Sequence, residues 1–149
     1  MKFDPIKHLN LYKHTIDRDG FITVNETFFC SDLGLTKLPW KFKEIKGLFD
    51  CSHNQLITLE GAPEIVEGGF YCQYNKLTTL EGCPEIVEGR FYCYYNQLTT
   101  LKGAPKIINS NFYCYHNQLT TLDYIPEIGG EVVFNNNPLP PEEIALYNL

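Results

Sequence analysis

A repeat of 21 residues runs through most of this chain, and it restricts the fold more than any other feature. The string Phe-x-Cys-x-x-Asn-x-Leu-x-x-Leu begins at Phe49 and returns from Phe70 and from Phe91, each time 21 residues later. A fourth copy begins at Phe112, although it lacks the glycine that stands two residues before proline in the other copies and is one residue shorter. A chain with this periodicity forms a repeat architecture, in which stacked neighbouring units bury one continuous core.

Degenerate copies extend the repeat in both directions. Phe28 and Cys30 fit the frame one period earlier, with Leu33 where asparagine belongs, and Val132 opens a last unit with Phe134 in the cysteine position. The length of 149 residues suits one domain. The predicted parts of this single solenoid domain, 1–149, are an N-terminal cap over 1–27, repeats over 28–139 and a C-terminal cap over 140–149.

The string Phe-x-Cys-x-x-Asn-x-Leu resembles the leucine-rich repeat pattern Leu-x-Leu-x-x-Asn-x-Leu over about three quarters of the chain. It is similar to the short 21-residue type encoded by bacteriophages and some bacteria, and it departs from the family in placing Phe and Cys at strand positions that usually hold Leu. The resemblance implies a leucine-rich repeat solenoid. It also implies a phage-encoded inhibitor or modulator of a host protein, such as a defence protein, in the host cytoplasm.

Alternation within each repeat predicts one short strand whose Phe and Cys face the core while the residues between and after them face solvent. Stacked repeats then give one short parallel sheet of about six strands. Glycine followed two residues later by proline, as at Gly61 and Pro63, predicts connectors that are largely irregular. Asparagine at the bend after each strand, Asn75 for example, predicts a structural role in satisfying backbone groups.

Both ends of a solenoid must be covered, because its core is otherwise exposed there. Asp4 before Pro5 predicts a short helix over residues 4–13, followed by a hairpin that leads into 21–24. Pro140 and Pro141 predict a short C-terminal helical cap. The apolar residues expected to pack under the caps are Ile6, Leu9 and Tyr12 at the first end and Ile144, Leu146 and Leu149 at the last.

Two features raise the question of a metal site. Five of the six cysteines recur at the repeat step, namely Cys30, Cys51, Cys72, Cys93 and Cys114. Their parallel inward direction favours packing as small apolar side chains, whereas a zinc site needs ligands that converge. Residues 15–26 match the spacing of a calcium-binding EF-hand loop at several positions. Thr15 stands where the first carboxylate is expected, so a hairpin is favoured and calcium stays the alternative.

The sequence carries no signature of a catalytic or cofactor site: no His-Glu-x-x-His, no phosphate-binding glycine loop and no Gly-x-Ser-x-Gly. We therefore predict a protein that is not an enzyme and that uses no cofactor or metal. The chain begins without an apolar signal segment and contains no run long enough to span a membrane. These observations predict a cytoplasmic protein with reduced thiols and no membrane partner.

Tyrosine is concentrated on one side of the predicted sheet, where outward positions of consecutive repeats hold seven of the ten tyrosines. Ser52 and Gln73 are expected to face solvent in the same rows. The predicted partner-binding residues are His53, Tyr71, Tyr74, Arg90, Tyr92, Tyr94, Tyr95, Tyr113, Tyr115 and His116. Tyrosine and arginine are frequent in interface hot spots. The sequence therefore predicts a non-catalytic module that binds another protein.

Three alternatives stay open. Repeated tyrosines also suit a structural protein that assembles with copies of itself. Stacked aromatic rings bind single-stranded nucleic acid, but 12 Lys and Arg against 18 Asp and Glu, with a net charge of −6, disfavour that partner. Acidic connector residues such as Glu64 and Glu85 favour a solvated edge, and less strongly a strip that steers a basic partner or imitates DNA phosphates.

Overall fold

The computed structural model describes residues 2–147, which fold as a solenoid of short strands with a short helix at each end. One turn of the solenoid, about 21 residues, is called a coil below. In chain order the elements are α1 (Pro5–Leu9), β1 (His14–Ile16), β2 (Ile22–Val24), β3 (Phe28–Phe29), β4 (Phe42–Ile45), β5 (Phe49–Asp50), β6 (Ile65–Val66), β7 (Phe70–Tyr71), β8 (Ile86–Val87), β9 (Phe91–Tyr92), β10 (Ile107–Ile108), β11 (Phe112–Tyr113), β12 (Glu127–Ile128), β13 (Val132–Val133) and α2 (Pro141–Ala145).

The repeat strands form a parallel sheet of six strands in the order β13-β11-β9-β7-β5-β3. Phe70 lies opposite Phe49 on one neighbouring strand and opposite Phe91 on the other, so equivalent residues of consecutive coils stack in register. This arrangement confirms the predicted solenoid with its parallel sheet of about six strands. The short terminal helices and the N-terminal hairpin are also present as predicted.

The connectors and the N-terminal hairpin form a second sheet of seven strands in the order β1-β2-β4-β6-β8-β10-β12. In β6 the exposed Ile65 precedes the buried Val66, and the same pattern recurs at Ile86 and Val87 in β8. From the sequence these segments are expected to be irregular, because an alternation of only two residues cannot be distinguished from a turn. The rest of each connector is irregular, as predicted.

Phenylalanine and cysteine from the six-stranded sheet fill the core. The five repeat phenylalanines are fully buried, and consecutive rings lie 5.3–6.3 Å apart. The five repeat cysteines are at most 1% exposed and are free thiols. Burial raises the pKa of these thiols, to about 12 for Cys114. They are therefore protonated at neutral pH and pack as small apolar groups, as predicted.

Asparagine side chains join each coil to the one before it. Asn96 Oδ1 accepts a hydrogen bond from the backbone N–H of Leu77 at 2.9 Å, while its Nδ2 donates to the carbonyl oxygens of Cys72 (3.0 Å) and Cys93 (3.1 Å). Leu77 and Cys72 belong to the preceding coil, so one amide satisfies backbone groups of two coils. The same pattern is made by Asn54, Asn75, Asn117 and Asn137. We call these four residues, together with Asn96, the asparagine ladder.

The first helix starts where predicted, because Asp4 Oδ1 accepts hydrogen bonds from the backbone N–H groups of Ile6 (3.0 Å) and Lys7 (3.1 Å). It ends at Leu9 rather than at residue 13. Leu9 is buried and Tyr12 is half-buried, as expected, but Ile6 is 73% exposed. The predicted burial of Ile6 is wrong, because the first turn of this short helix directs its side chain away from the first coil.

The N-terminal cap also closes the edge of the six-stranded sheet. The carbonyl oxygen of Phe29, in the first repeat strand, accepts a hydrogen bond from the Tyr12 hydroxyl at 3.0 Å and lies 2.7 Å from His8 Nε2. The indole Nε1 of Trp40 donates to the carbonyl oxygen of Pro5 at 3.1 Å. These contacts fix α1 over the first coil.

Residues 15–26 form the predicted hairpin, in which β1 pairs antiparallel with β2. Asp17 holds its turn, since Oδ1 accepts hydrogen bonds from the backbone N–H groups of Asp19 (2.9 Å) and Phe21 (3.0 Å). Within residues 2–147 no cluster of three His, Cys, Asp or Glu side chains is arranged to hold a metal ion. The Asp17 carboxylate, which a calcium loop would use as a ligand, is engaged with the backbone of the turn.

The C-terminal cap is smaller than the N-terminal one. Glu143 in α2 accepts a hydrogen bond from the backbone N–H of Leu122 at 3.1 Å, and Ile144 packs partly buried against the core. Leu146 is 67% exposed, so its predicted burial is wrong: α2 ends at Ala145, and the next residue no longer faces the coil. Leu149 lies outside the described residues.

Replacing a rung of the asparagine ladder should destabilise the whole solenoid. We expect Asn96→Ala to lower the free energy of unfolding by at least about 2 kcal/mol, because it leaves buried backbone groups of two coils without partners. The matched control is Gln97→Ala, which truncates an exposed neighbour. Urea unfolding followed by circular dichroism measures both, and equal stability of the two variants would contradict the role assigned to Asn96.

Candidate functional site

The structure brings the ten predicted site residues together on the open side of the six-stranded sheet. We call this surface the tyrosine face. It contains His53, Tyr71, Tyr74, Arg90, Tyr92, Tyr94, Tyr95, Tyr113, Tyr115 and His116. The face is positioned by β7, β9 and β11 and by the turns that follow β5, β7, β9 and β11. Because equivalent residues of consecutive coils are in register, their rings lie directly above one another.

The outer row of the face consists of His53, Tyr74, Tyr95 and His116. Consecutive ring centroids are 4.5, 4.7 and 4.2 Å apart, and the ring planes differ by at most 16°. Tyr74 and Tyr95 are the most exposed tyrosines of the face, at 42% and 40%. The row ends at Asn136, whose Nδ2 lies 2.9 Å from Nε2 of His116.

Two further sets of rings complete the face. Tyr71, Tyr92 and Tyr113 form the strand row, with centroids 4.6 and 4.9 Å apart. Tyr94 and Tyr115 form the middle pair, whose rings are parallel within 7° at 4.5 Å. The middle pair meets the outer row edge to face: Tyr74 with Tyr94 at 5.7 Å, and Tyr95 with Tyr115 at 6.0 Å. The face is therefore one connected aromatic surface.

The backbone under the outer row has an unusual conformation. His53, Tyr74, Tyr95 and His116 have φ angles of 54°, 56°, 54° and 52°, in the left-handed region. The equivalent residues of the flanking coils are Asp32 and Asn136, with φ of 56° and 58°. Asp and Asn adopt this conformation readily, whereas a bulky side chain there costs about 1–2 kcal/mol. Histidine is also enriched in this region, so the conflict falls on Tyr74 and Tyr95, which carry large rings where a smaller residue is energetically preferable.

Two residues expected to face solvent do not. Ser52 is 3% exposed and Gln73 is 8% exposed. They occupy the position of the middle pair, between the outer row and the strand row, where neighbouring rings cover a short side chain but leave Tyr94 and Tyr115 half-exposed. Ser52 donates to Asp50 Oδ1 at 2.6 Å, whereas Oε1 of Gln73 has no hydrogen-bond donor within residues 2–147. This buried acceptor within the face was not foreseen from the sequence.

Polar groups lie around the strand row. Arg90 lies beside the hydroxyl groups of Tyr92 and Tyr71, which raise the pKa of its guanidinium. The Tyr113 hydroxyl donates to Glu131 Oε2 at 2.8 Å, and this hydrogen bond raises the pKa of Tyr113. Burial, followed by the neighbouring hydroxyl of Tyr115, raises the pKa of Tyr94 to about 12. Tyr94 and Tyr113 are therefore neutral at physiological pH and act as hydrogen-bonding groups.

None of the family models, curated proteins or solved structures compared with this chain matches it. Its membership of the leucine-rich repeat family and a phage origin therefore stay predictions from the repeat pattern. Within residues 2–147, no helix combines the length and apolarity that crossing a bilayer requires.

The acidic connectors lie on the other sheet and not on the tyrosine face. Glu64, Glu67, Glu85 and Glu88 are exposed, and Glu85 is paired with Lys106 at 3.0 Å. Between these glutamates the side chains of Ile65 and Ile86 are 49% and 46% exposed. From the sequence these isoleucines are not distinguished from core residues, because only the short strand alternation turns them outward.

Substitution within the outer row tests whether its backbone is strained. Tyr95→Asn removes two stacked contacts, worth about 0.5–1.5 kcal/mol each, but it relieves a left-handed conformation worth about 1–2 kcal/mol. We expect its free energy of unfolding to change by less than about 1 kcal/mol. Tyr92→Asn is the matched control, because it also loses two stacked neighbours but has no positive φ. Urea unfolding should show Tyr92→Asn to be clearly less stable than Tyr95→Asn. Equal losses of stability in the two variants would show that the backbone at Tyr95 is not strained.

The raised pKa of Tyr94 predicts loss of stability in alkali. Its pKa is about 12 in the folded protein against an ordinary value of 10.0, so between these values the folded state keeps a proton that the unfolded chain has lost. The free energy of unfolding should therefore fall as the pH rises from 10 to 12. We expect a shallower fall in Tyr94→Phe than in the wild type, measured by urea unfolding across this range. Identical slopes would show that Tyr94 titrates normally.

Proposed function

We propose that this protein is a non-catalytic binding module whose tyrosine face contacts another protein. The observation that carries the proposal is the backbone of the outer row. Tyr74 and Tyr95 keep large exposed rings at positions where Asp32 and Asn136 show the side chains that suit the conformation. Side chains retained against a local energetic cost are concentrated at functional surfaces.

The chemistry of the face suits protein recognition. Tyrosine offers a large rigid contact area and a polar tip, and it loses little conformational entropy on binding. Here the rings are already ordered by stacking, for example Tyr94 on Tyr115 at 4.5 Å, so less freedom remains to be lost when a partner docks. The exposed Arg90 adds hydrogen-bond donors. These groups support a partner surface with both apolar and polar contacts.

The direction in which the tyrosine rings stack favours a protein as the partner over single-stranded nucleic acid. Bases bind aromatic side chains through free ring faces. In the strand row, Tyr92 has Tyr71 on one face and Tyr113 on the other, so its edge and hydroxyl are the parts directed outward. The net charge of −6 adds repulsion towards phosphates. Nucleic-acid binding is therefore the weaker candidate.

The narrower hypothesis concerns the identity of the partner. The resemblance of the repeats to phage-encoded leucine-rich repeat proteins supports an inhibitor or modulator of a host protein, such as a defence protein, acting in the host cytoplasm. This hypothesis determines the material for the test, which is a bacterial lysate. If the tyrosine face captures a partner only from another source, the proposed binding function stands and the host hypothesis is contradicted.

Pull-down with immobilised protein tests the binding face. The double variant Tyr94→Ala/Tyr115→Ala removes the middle pair, and we expect it to reduce capture of a partner at least about tenfold, as loss of an interface hot spot does. The matched control is Thr99→Ala/Thr120→Ala, which changes two exposed connector residues in the same coils. Circular dichroism establishes that both variants are folded. Undiminished capture by the folded tyrosine variant would refute the proposal.

A further inference from the structure

Among residues 2–147, the backbone groups on the outer side of β13, at the C-terminal end of the six-stranded sheet, have no partner strand. In this sheet the N–H groups at the Phe and Cys positions donate to carbonyl oxygens of the following coil, as Phe112 does to Glu131 and Cys114 does to Val133, both at 2.8 Å. Every earlier coil repeats this pattern. Val132 and Phe134 hold the same positions in the last coil, and no further coil follows within residues 2–147. Their N–H groups therefore point out of the end of the solenoid.

The asparagine ladder is incomplete at the same end. The carbonyl oxygen of Cys114 accepts hydrogen bonds from two asparagines, Asn117 and Asn137, at 3.0 and 3.1 Å. Among the described residues, the equivalent oxygen of Phe134 accepts from Asn137 alone, at 2.8 Å. In a strand the N–H and C=O groups of one residue point to the same side. The edge at Val132 and Phe134 thus offers both donors and acceptors, which makes it complementary to a copy of itself.

The opposite edge of the six-stranded sheet, at β3, is covered. The Phe29 carbonyl oxygen is occupied by Tyr12 and His8, and its N–H lies 3.4 Å from the Tyr12 hydroxyl. A second copy therefore cannot pair with β3 as a further coil would. Two copies that pair through the β13 edge of each form a closed dimer, because neither keeps a second free edge of this sheet.

The surroundings of the open edge also suit a second copy. Val132 and Phe134 border a concavity of about 350 Å³ together with Ile144 and Tyr147. Leu146, the residue before Tyr147 in the chain, is 67% exposed. Residues 132–141 contain no charged side chain, so two chains that each carry a net charge of −6 approach here without close repulsion. Natural edge strands are commonly protected by charged residues, and this one is not.

We propose that two copies of the chain associate through their C-terminal ends, with β13 pairing antiparallel to β13 of the second copy. A two-fold axis at Val133 places Val132 of each copy opposite Phe134 of the other, where the pair exchange N–H···O=C hydrogen bonds. The interface is isologous and closed. It does not use the tyrosine face, so it holds independently of the proposed binding function.

A cysteine at the axis gives a geometric test. Val133 meets Val133 of the second copy in a non-hydrogen-bonded antiparallel pair, with Cα atoms about 4.5 Å apart, which is within the range of a disulfide. We expect Val133→Cys to form a covalent dimer under mild oxidation, while the native repeat cysteines stay buried and free. Thr120→Cys, at an exposed connector position, is the matched control and should stay monomeric on a non-reducing gel.

Light scattering after size-exclusion chromatography tests the non-covalent pair. At roughly 0.1 mM protein we expect the wild type to show twice the 17.2 kDa mass of one chain. Val132→Pro removes only an outward N–H and should give a folded monomer. Tyr94→Ala/Tyr115→Ala should remain a dimer. A monomeric wild type, a dimeric Val132→Pro, loss of the dimer in the tyrosine variant, or equal cross-linking of the two cysteine variants would each overturn the proposal.

Discussion

The rest of the structure depends on the hydrogen bonds of the asparagine ladder. Each asparagine amide connects backbone groups of two consecutive coils at the bend where the strand ends. The bend cannot be buried unless those groups are satisfied. With the bends aligned, the phenylalanines and cysteines of successive coils also align, and a continuous core forms from strands of only two residues.

The same alignment determines the outer surface. In-register stacking places identical positions of neighbouring coils one strand spacing apart, about 4.8 Å, which is close to the separation at which aromatic rings stack. The tyrosine rows therefore follow from the backbone periodicity once tyrosine occupies an outward position. Periodicity does not explain tyrosine on a left-handed backbone at Tyr74 and Tyr95, and this departure is the observation on which the proposed binding function rests.

The features predictable from the sequence are those that every repeat encodes locally. Inward Phe and Cys, the role of asparagine and the outward tyrosines all follow from one 21-residue period. The remaining features depend on neighbours or on chain direction. Burial of Gln73 depends on the rings in adjacent rows, the seven-stranded sheet depends on pairing between very short strands, and the exposure of Ile6 and Leu146 depends on where two short helices begin and end. None of these is contained in the pattern of a single repeat.

The regular pairing of β7, β9 and β11 has a consequence for how such a surface changes in size. Each coil contacts only the coils beside it, so a duplicated 21-residue segment inserts without altering either cap. One added coil extends the sheet by about 4.8 Å and lengthens the aromatic rows by one ring each. The area of the tyrosine face therefore grows in discrete steps, by gene duplication of a single period, while the contacts within the existing coils are retained.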